Sequence, residues 1–346
     1  MMARALSLAE NGLYTTTPNP RVGCVITKAE QIVSEAWHAK AGEPHAEAIA
    51  LERAGARAAG ATVYVNLEPC NHHGKTPPCA PALINAKVAR VVAAMTDPNP
   101  QATGGGAALA AAGIRFEHGL MEAAARELNI GFVSRVTRGR PWVRLKAAAT
   151  LDGRSALADG SSQWITGPEA RKDGHRWRAR ASAVLTGIGT IKADDPRLTV
   201  REVQTTRQPL RVIVDSRLET PPSARILEGE KVLVFSGRAG KLKNADVIPL
   251  PNPQGKVDLP RMLEELAGRG VNELHVEAGF RLNGSLMREG CVDELLLYFN
   301  PSLLGDSAQG LFDLPAPESL EKRLKLRILS LERLGEDLRV LARPAQ

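Results

Sequence analysis

Apolar and polar positions along the first 140 residues switch between helical and strand-like spacing. Residues 2–12 (MARALSLAENG) read as a helix stopped at Gly12, and residues 22–27 (VGCVIT) form an unbroken apolar run after the turn-forming Pro18-Asn19-Pro20, which is how a buried strand reads. Pro44 opens a helix that continues to about Ala54, with Gly55 beyond it as a stop. A strand at residues 62–66, a long polar loop, a helix from about Ala80 to Ala86 and a strand at residues 89–95 follow. Glycine-rich Gly104–Gly106 then precedes an alanine-rich helix. This alternation predicts an α/β fold with a mostly parallel sheet covered by helices.

A basic, irregular stretch at residues 135–141 (RVTRGRP) interrupts the pattern, and a new alternation starts with a strand at residues 142–147. Apolar strand candidates at residues 183–186, 211–215, 231–235, 274–277 and 293–299 alternate with helical segments such as residues 259–268 and 283–290. The second block therefore reads as α/β too. At about 150 residues per domain, 346 residues make two domains, expected at residues 1–139 and 140–346, and that much chain can bury full cores without staples.

Composition narrows the setting. Four cysteines, at positions 24, 70, 79 and 291, are too few and too unevenly placed for a secreted disulfide framework, so a reducing cytoplasm is expected. No run approaches the roughly 18 to 20 apolar residues of a membrane span, and the first residues lack a basic start followed by an apolar core. The formal charge of +7 admits a nucleic acid or an anionic small substrate as partner. Neither half is polarised, no run of five basic residues occurs, and 4% aromatic residues leave few stacking platforms for bases. That favours the small anion.

The strongest chemical signal joins His45-Ala46-Glu47, Pro69-Cys70 and Cys79. Two thiolates and an imidazole make three zinc ligands and leave a fourth position for water, the arrangement of a catalytic site. Cys70 and Cys79 are each expected at or near a helix start, where free N–H groups and the helix dipole lower a thiol's pKa. Glu47, two residues from His45, sits badly for a ligand and well for a proton shuttle beside the water. His-x-Glu followed by Pro-Cys and a second Cys is the signature of zinc nucleobase deaminases. The spacing departs from it, because eight residues separate the cysteines instead of two. A structural zinc site and simple buried cysteines are the competing readings. The insert between the cysteines is polar and glycine-kinked; it reads either as a solvated loop or as a loop that holds His72 and Lys75 where a phosphate would meet them.

The segments HAEAIALERAG, VNLEPCNHHGKTPPCAPALINAKVARVV and MTDPNP closely resemble the bifunctional riboflavin-biosynthesis enzymes of bacteria, a pyrimidine deaminase fused to a pyrimidine reductase. KAAATLDGR, SSQWITGPEAR, GIGTIKADDPRLTVR, RVIVDS, HVEAG and DELLLYFNPSLLG extend the resemblance over nearly the whole chain. It implies a cytidine-deaminase-like three-layer first domain, in which the wide-spaced cysteine pair is usual, and a dihydrofolate-reductase-like second domain. The implied reactions are loss of the 2-amino group of 2,5-diamino-6-ribosylamino-4(3H)-pyrimidinone 5′-phosphate, then reduction of the ribosyl group to ribityl by NADPH. By the same resemblance one zinc ion is held by His45, Cys70 and Cys79, with Glu47 as proton shuttle, and Asn19, His38, His72 and Lys75 contact the substrate. Ala148, Trp164, Thr190, Asp194, Ser216 and the stretch Gly279, Phe280, Arg281, Leu282, Asn283, Gly284 and Ser285 would contact the dinucleotide. Ser162, Arg178, Leu198, Arg201 and Glu277 would face the substrate. A homodimer or tetramer is implied as well. Ala278 stands where many relatives have a second glycine, a small departure.

Without the resemblance the second half says less. Gly187-Ile188-Gly189-Thr190 follows a strand and lets backbone approach a phosphate, but Lys192 holds the place of the third glycine of a dinucleotide fingerprint. The stretch from Gly279 to Ser285 joins a strand end to a helix start, where α/β proteins bind phosphates. Arg178 and Arg201 suit a phosphate monoester but are by default surface arginines, and Trp164 is by default a core aromatic. Glu277, at the carboxyl end of an apolar strand, is costly to bury unless paired or used. Two other classes remain open at this point: a nucleic-acid editing protein acting on a flipped base, and a zinc-stabilised binding module without turnover.

Overall fold

The computed structural model describes residues 1–74, 76–230 and 232–345. The chain divides into two compact units, Met1–Gly139 and Arg140–Gln346.

In the first unit the elements run α1 (Met2–Glu10), β1 (Gly23–Lys28), β2 (Gln31–Trp37), α2 (Ala46–Ala54), β3 (Thr62–Val65), α3 (Cys79–Asn85), β4 (Arg90–Ala93), α4 (Gly105–Ala111), β5 (Arg115–His118), α5 (Glu122–Leu128) and α6 (Ile130–Arg138). The five strands form one sheet in the order β2-β1-β3-β4-β5. It is mixed and not mostly parallel, because β1 pairs antiparallel with both β2 and β3, and only β3-β4-β5 run parallel. Strand β2 escapes the sequence pattern because its first residues are exposed and only Ser34 and Ala36 are buried. Alternation along β1 sends successive side chains to opposite faces. On one face α1 packs so close that a Cβ on Gly23 would stand 2.1 Å from the carbonyl oxygen of Ala5. On the other, Cys24 lies under Glu47 of α2, buried and free. Helices thus cover both faces. The basic stretch read as irregular is instead the last turn of α6, closed by Gly139 at φ +67°, with Arg135 and Arg138 placed favourably at the negative end of the helix dipole.

The second unit continues with β6 (Trp142–Thr150), β7 (Arg154–Ala156), α7 (Pro168–Arg180), β8 (Ala183–Gly187), α8 (Ile188–Asp194), β9 (Leu210–Val214), β10 (Val232–Ser236), β11 (Ala245–Pro249), α9 (Leu259–Gly268), β12 (Glu273–Val276), α10 (Phe280–Arg288), β13 (Glu294–Asn300), β14 (Gln309–Gly310), β15 (Leu326–Leu334) and β16 (Asp337–Pro344). Nine strands make one sheet in the order β11-β10-β9-β8-β12-β6-β13-β16-β15, parallel from β11 to β13, while β16 and β15 add antiparallel at the end. β7 and β14 pair separately. One face of this sheet is an apolar core that includes Val143, Leu145, Leu274, Val276, Leu295 and Leu297. Its other face, under α7, carries buried charges: Arg144 pairs with Glu273 and Glu294, and Arg180 and Arg343 join the same two carboxylates. Helix α7 shows no apolar stripe in the sequence for that reason. Cys291 is buried in the apolar core and free.

Candidate functional site

In the first unit the expected ligands converge. His45 is the N-cap of α2, with extended backbone at φ −71° and ψ 159°, and Cys79 is the first residue of α3. The ligand atoms of His45, Cys70 and Cys79 all lie within 4.8 Å of one another, with His45 Nδ1 3.3 Å from Cys79 Sγ and 3.5 Å from Cys70 Sγ. Cys70 is not at a helix start in the chain; it sits in the loop before α3. Its sulfur nevertheless accepts the backbone N–H of Cys79 at 3.4 Å, so α3 still offers it a helix-end donor.

The loop holding Cys70 is tied down on both sides. Glu68 accepts N–H bonds from Gly106 (2.8 Å) at the start of α4 and from Asp97 (3.1 Å), and the N–H groups of Asn71 and Ala80 donate to Ala102 O and Cys70 O. Sequence reasoning missed Glu68, although its place two residues before Cys70 was visible.

Electrostatics follow from this crowding. The hydrogen bond with Cys79, together with His45 and the Cys79 N–H, pulls the Cys70 thiol down to about 4, and the same hydrogen bond and burial push Cys79 up. The two thiols are thus driven in opposite directions, and a cation between them favours ionisation of both. Two sulfurs and one imidazole are the donor set that zinc accepts, so the residues fit the metal. Glu47, in the first turn of α2 and 4% exposed, is pushed up to about 7 by burial. The hydrogen bond to Cys70 raises His45.

His38 is buried. Its Nδ1 is 3.1 Å from Pro44 O and its Nε2 3.1 Å from Asn19 Nδ2, so Nδ1–H donates to the carbonyl and Nε2 accepts from the amide. The ring stands edge-on to His45 with centroids 5.4 Å apart, and burial lowers its pKa. His72 is half-buried near Asp97, whose carboxyl burial raises to about 6. Lys75 lies outside the described residues.

In the second unit the expected residues gather at the carboxyl ends of the central strands. Gly187 ends β8 and Thr190 lies just beyond it, Ser216 follows β9, and Glu277 and Gly279 follow β12. The two glycine stretches meet: a Cβ on Gly187 would lie 2.9 Å from Leu282, and one on Gly279 3.6 Å from Thr190 Oγ1. Two helix starts separated only by glycine, beside a hydroxyl, fit a dinucleotide phosphate. Phe280, Arg281, Leu282 and Ser285 lie on the first turns of α10, with Arg281 exposed. Asn283 and Gly284 turn the other way, onto residues 311–313, where a Cβ on Gly284 would come within 2.3 Å of Asp313 O. Ser216 Oγ accepts the N–H of Val257. Ala148 lies half-buried on β6.

Trp164 is 71% exposed and stacked against Arg171, contrary to the core role its residue type suggests. Gln163 beside it donates to Asp194 at 3.0 Å, and half-buried Ser162 belongs to the same loop. Glu277 is paired: Arg178 Nε and Nη2 reach its two oxygens at 2.7 and 2.9 Å, and Arg178 Nη1 donates to Thr199 O. Neighbouring cations hold the Glu277 carboxyl far below the usual range against the opposing effect of its own burial. Arg201 stays exposed, its N–H donating to His175 Nδ1 at 3.3 Å, and buried Leu198 has φ +52°. Lys146 of β6, which sequence reasoning passed over, interacts electrostatically with Glu277 and Arg178; its ammonium lies over the Tyr298 ring, and burial lowers its pKa.

Comparison with known proteins gives this geometry a context. The family model described as the cytidine and deoxycytidylate deaminase zinc-binding region matches residues 1–95, and the RibD C-terminal domain model matches residues 141–340. The chain is 46% identical to the riboflavin biosynthesis protein RibD of Escherichia coli, over 97% of this chain and 96% of that one. It superposes on Acinetobacter baumannii RibD with a TM-score of 0.94 at 42% identity, covering 100% of this chain and 98% of that one. A Thermotoga maritima protein described as a diaminohydroxyphosphoribosylaminopyrimidine deaminase/5-amino-6-(5-phosphoribosylamino)uracil reductase gives 0.90 at 33% identity, over 99% and 97% of the two chains.

Proposed function

From a chain that belongs to the RibD family of bifunctional deaminase–reductases of riboflavin biosynthesis, we propose a division of labour between its two units. Residues 1–139 deaminate 2,5-diamino-6-ribosylamino-4(3H)-pyrimidinone 5′-phosphate, and residues 140–346 reduce the ribosyl group of the product with NADPH. The observation that carries the first assignment is the grouping of His45, Cys70 and Cys79 with buried Glu47 beside them. His45, Cys70 and Cys79 would hold a zinc ion, which would supply Lewis acidity toward a water molecule. Glu47 accepts a proton from the attacking water and delivers it to the departing amino nitrogen, while the water's second proton ends on the ring nitrogen, so that the C–N bond breaks as the carbonyl forms and ammonia leaves. Asn19 and His38 orient the pyrimidine, and His72 and Lys75 meet the phosphate.

In the second unit NADPH supplies the hydride, and the chain binds and orients. Gly279, with Thr190 at its side and Arg281 and Leu282 behind it, receives the pyrophosphate; Ala148, Trp164, Asp194 and Ser216 border the rest of the dinucleotide. Exposed Arg201 is the arginine available to the substrate phosphate. Arg178, its fork spent on Glu277 and Thr199, acts by fixing Glu277 toward the ribosyl group, with Ser162 and Leu198 lining the same side.

No helix among the described residues is long and apolar enough to cross a membrane. We place the protein in the cytoplasm, which its four free cysteines support. A homo-oligomer, dimer or tetramer, is supported by the edge strand β15. A bulge between Ile328 and Ser330 keeps Leu326, Ile328 and Leu331 on one sheet face, and Ile328 and Leu331 are 62% and 61% exposed. The partner ligands are phosphorylated pyrimidines and not polynucleotides, in keeping with the unpolarised charge.

The test is a two-stage assay on the full chain with the diaminopyrimidine phosphate. Ammonia release without nucleotide, followed by NADPH oxidation only after deamination, is the expected order. NADPH consumption at full rate before any ammonia appears contradicts the assigned sequence of steps.

A further inference from the structure

The imidazole of His45 has one nitrogen for a metal and one to spare, and the insert between the two cysteines supplies a partner for the spare one. Nδ1 faces both sulfurs, while Nε2 lies 3.1 Å from Thr76 Oγ1. A neutral imidazole carries a single proton. To offer a lone pair from Nδ1 on the sulfur side, the ring must keep that proton on Nε2, where it donates to the threonine hydroxyl. A hydroxyl can donate or accept, so once Nδ1 is committed to the metal it takes the accepting role from Nε2–H and fixes the rotation of the ring.

The route of the chain makes this contact more than incidental. The insert leaves the loop at Cys70 and returns at the first turn of α3, and Thr76 is joined to Cys79 through Pro77 and Pro78. Proline fixes φ near −65°, and Pro78 has φ −67°, so the pair acts as a short strut between the hydroxyl and the thiol. Moving Cys79 moves Thr76 with it. A two-residue cysteine spacing would leave no chain to reach the far side of His45, whereas eight residues do reach it.

Resting on the zinc reading above, we propose that Thr76 is a positioning residue of the metal centre: its hydroxyl accepts from Nε2–H and holds the His45 ring with Nδ1 aimed at the metal, and the wide cysteine spacing is what delivers it.

The experiment uses the full chain stripped of metal and titrated with zinc against a competing chelating dye, for wild type, Thr76→Val and Thr76→Ser. Valine keeps the branched shape and removes the acceptor; serine keeps the acceptor. Thr76→Val is expected to weaken zinc binding by about 10- to 100-fold, with Thr76→Ser within about threefold of wild type. With cobalt in place of zinc, the visible d–d bands of Thr76→Val should shift and those of Thr76→Ser should not. Should valine impair folding by circular dichroism, Thr76→Ala is the second probe, with the same loss expected. Equal zinc affinity in wild type and Thr76→Val overturns the proposal, as does a Thr76→Ser as weak as Thr76→Val, which would make loop shape the cause. A wild type that binds no zinc overturns the zinc reading itself, a different result.

Discussion

Arg178 and Glu277 stand 99 positions apart in the chain and close a two-pronged ion pair at the carboxyl end of β12, with both side chains largely buried. Two parallel N–H···O bonds fix the plane of the carboxylate as well as its charge. Removing one partner leaves an uncompensated buried charge, at a cost of about 3–5 kcal/mol.

Glu277→Gln keeps the shape and loses the charge. NADPH oxidation is expected to fall by about 100-fold, in line with losing one oriented catalytic contact, while ammonia release, which the other unit performs, stays at wild type. Reductase activity at the wild-type level in this variant would reduce the pair to a structural brace.

His275 lies next to this pair, buried, with Nε2 3.6 Å from Glu277 Oε1 and neither ring nitrogen hydrogen-bonded among the described residues. Burial pushes it down to about 3, and burial also pushes His175 down to about 4. A free histidine titrates near 6.5, so the unfolded chain takes up protons that the folded one refuses. Stability is therefore full above about pH 6.5 and falls as the pH drops toward the folded values, by up to about 1.4 kcal/mol per pH unit for each fully buried histidine. Glu277, also depressed, contributes above about pH 4.3 and loses that contribution only below it, so its window lies under the histidines'. Calorimetry between pH 7 and 5 should show the second unit's transition moving down, and His275→Leu should shift it less. An unchanged slope in that variant would remove His275 as the source.

Much of this was legible in the chain. His45, Cys70 and Cys79, the proposed ligands, and Glu47, the proposed shuttle, share a motif whose chemistry demands proximity, so residue type and spacing name them together. Arg178 and Glu277 were both picked out, but their pairing was not, since nothing local links residues so far apart. Helix α7 was hidden because its inward face is Arg178, Arg180, Asp173 and Trp177 in place of an apolar stripe. β2 was hidden because only Ser34 and Ala36 of its seven residues are buried. Thr76 and Glu68 act through other residues, and only coordinates show which.

Among the described residues the metal cluster is His45, Cys70 and Cys79, with no carboxylate of its own, which leaves proton transfer to Glu47 beside it. Glu47→Gln keeps the size and gives up the carboxyl group that takes and returns a proton, so deamination should fall by about 100- to 10,000-fold while zinc content and reductase activity persist. Measuring all three on one preparation separates a lost shuttle from a lost metal; full deaminase activity with zinc retained would refute the role given to Glu47.

Exposed Ile328 and Leu331 lend themselves to a charge test. Ile328→Lys or Leu331→Lys puts an ammonium on the one apolar face of β15 and should shift sedimentation toward the monomer, with little effect on the monomer's own stability because both side chains are already in solvent. A sedimentation profile identical to wild type in both variants argues that copies meet elsewhere.

Gly105 tests how tightly the metal loop is gauged. A Cβ there would sit 1.8 Å from Pro69 O and 3.0 Å from its carbonyl carbon, a backbone obstacle that no side-chain rotation relieves. Either α4 retreats, breaking the Gly106 N–H bond to Glu68, or the Pro69-Cys70 peptide moves and carries the sulfur with it. Both routes displace Cys70 relative to His45 and Cys79. Gly105→Ala should therefore destabilise the first unit by about 1–3 kcal/mol, the usual cost of overpacking, and weaken zinc binding measured by chelator competition, with NADPH oxidation by the second unit intact. Wild-type zinc affinity together with the loss of stability would show that α4 yields and that Cys70 is held from the other side, through Cys79 and α3.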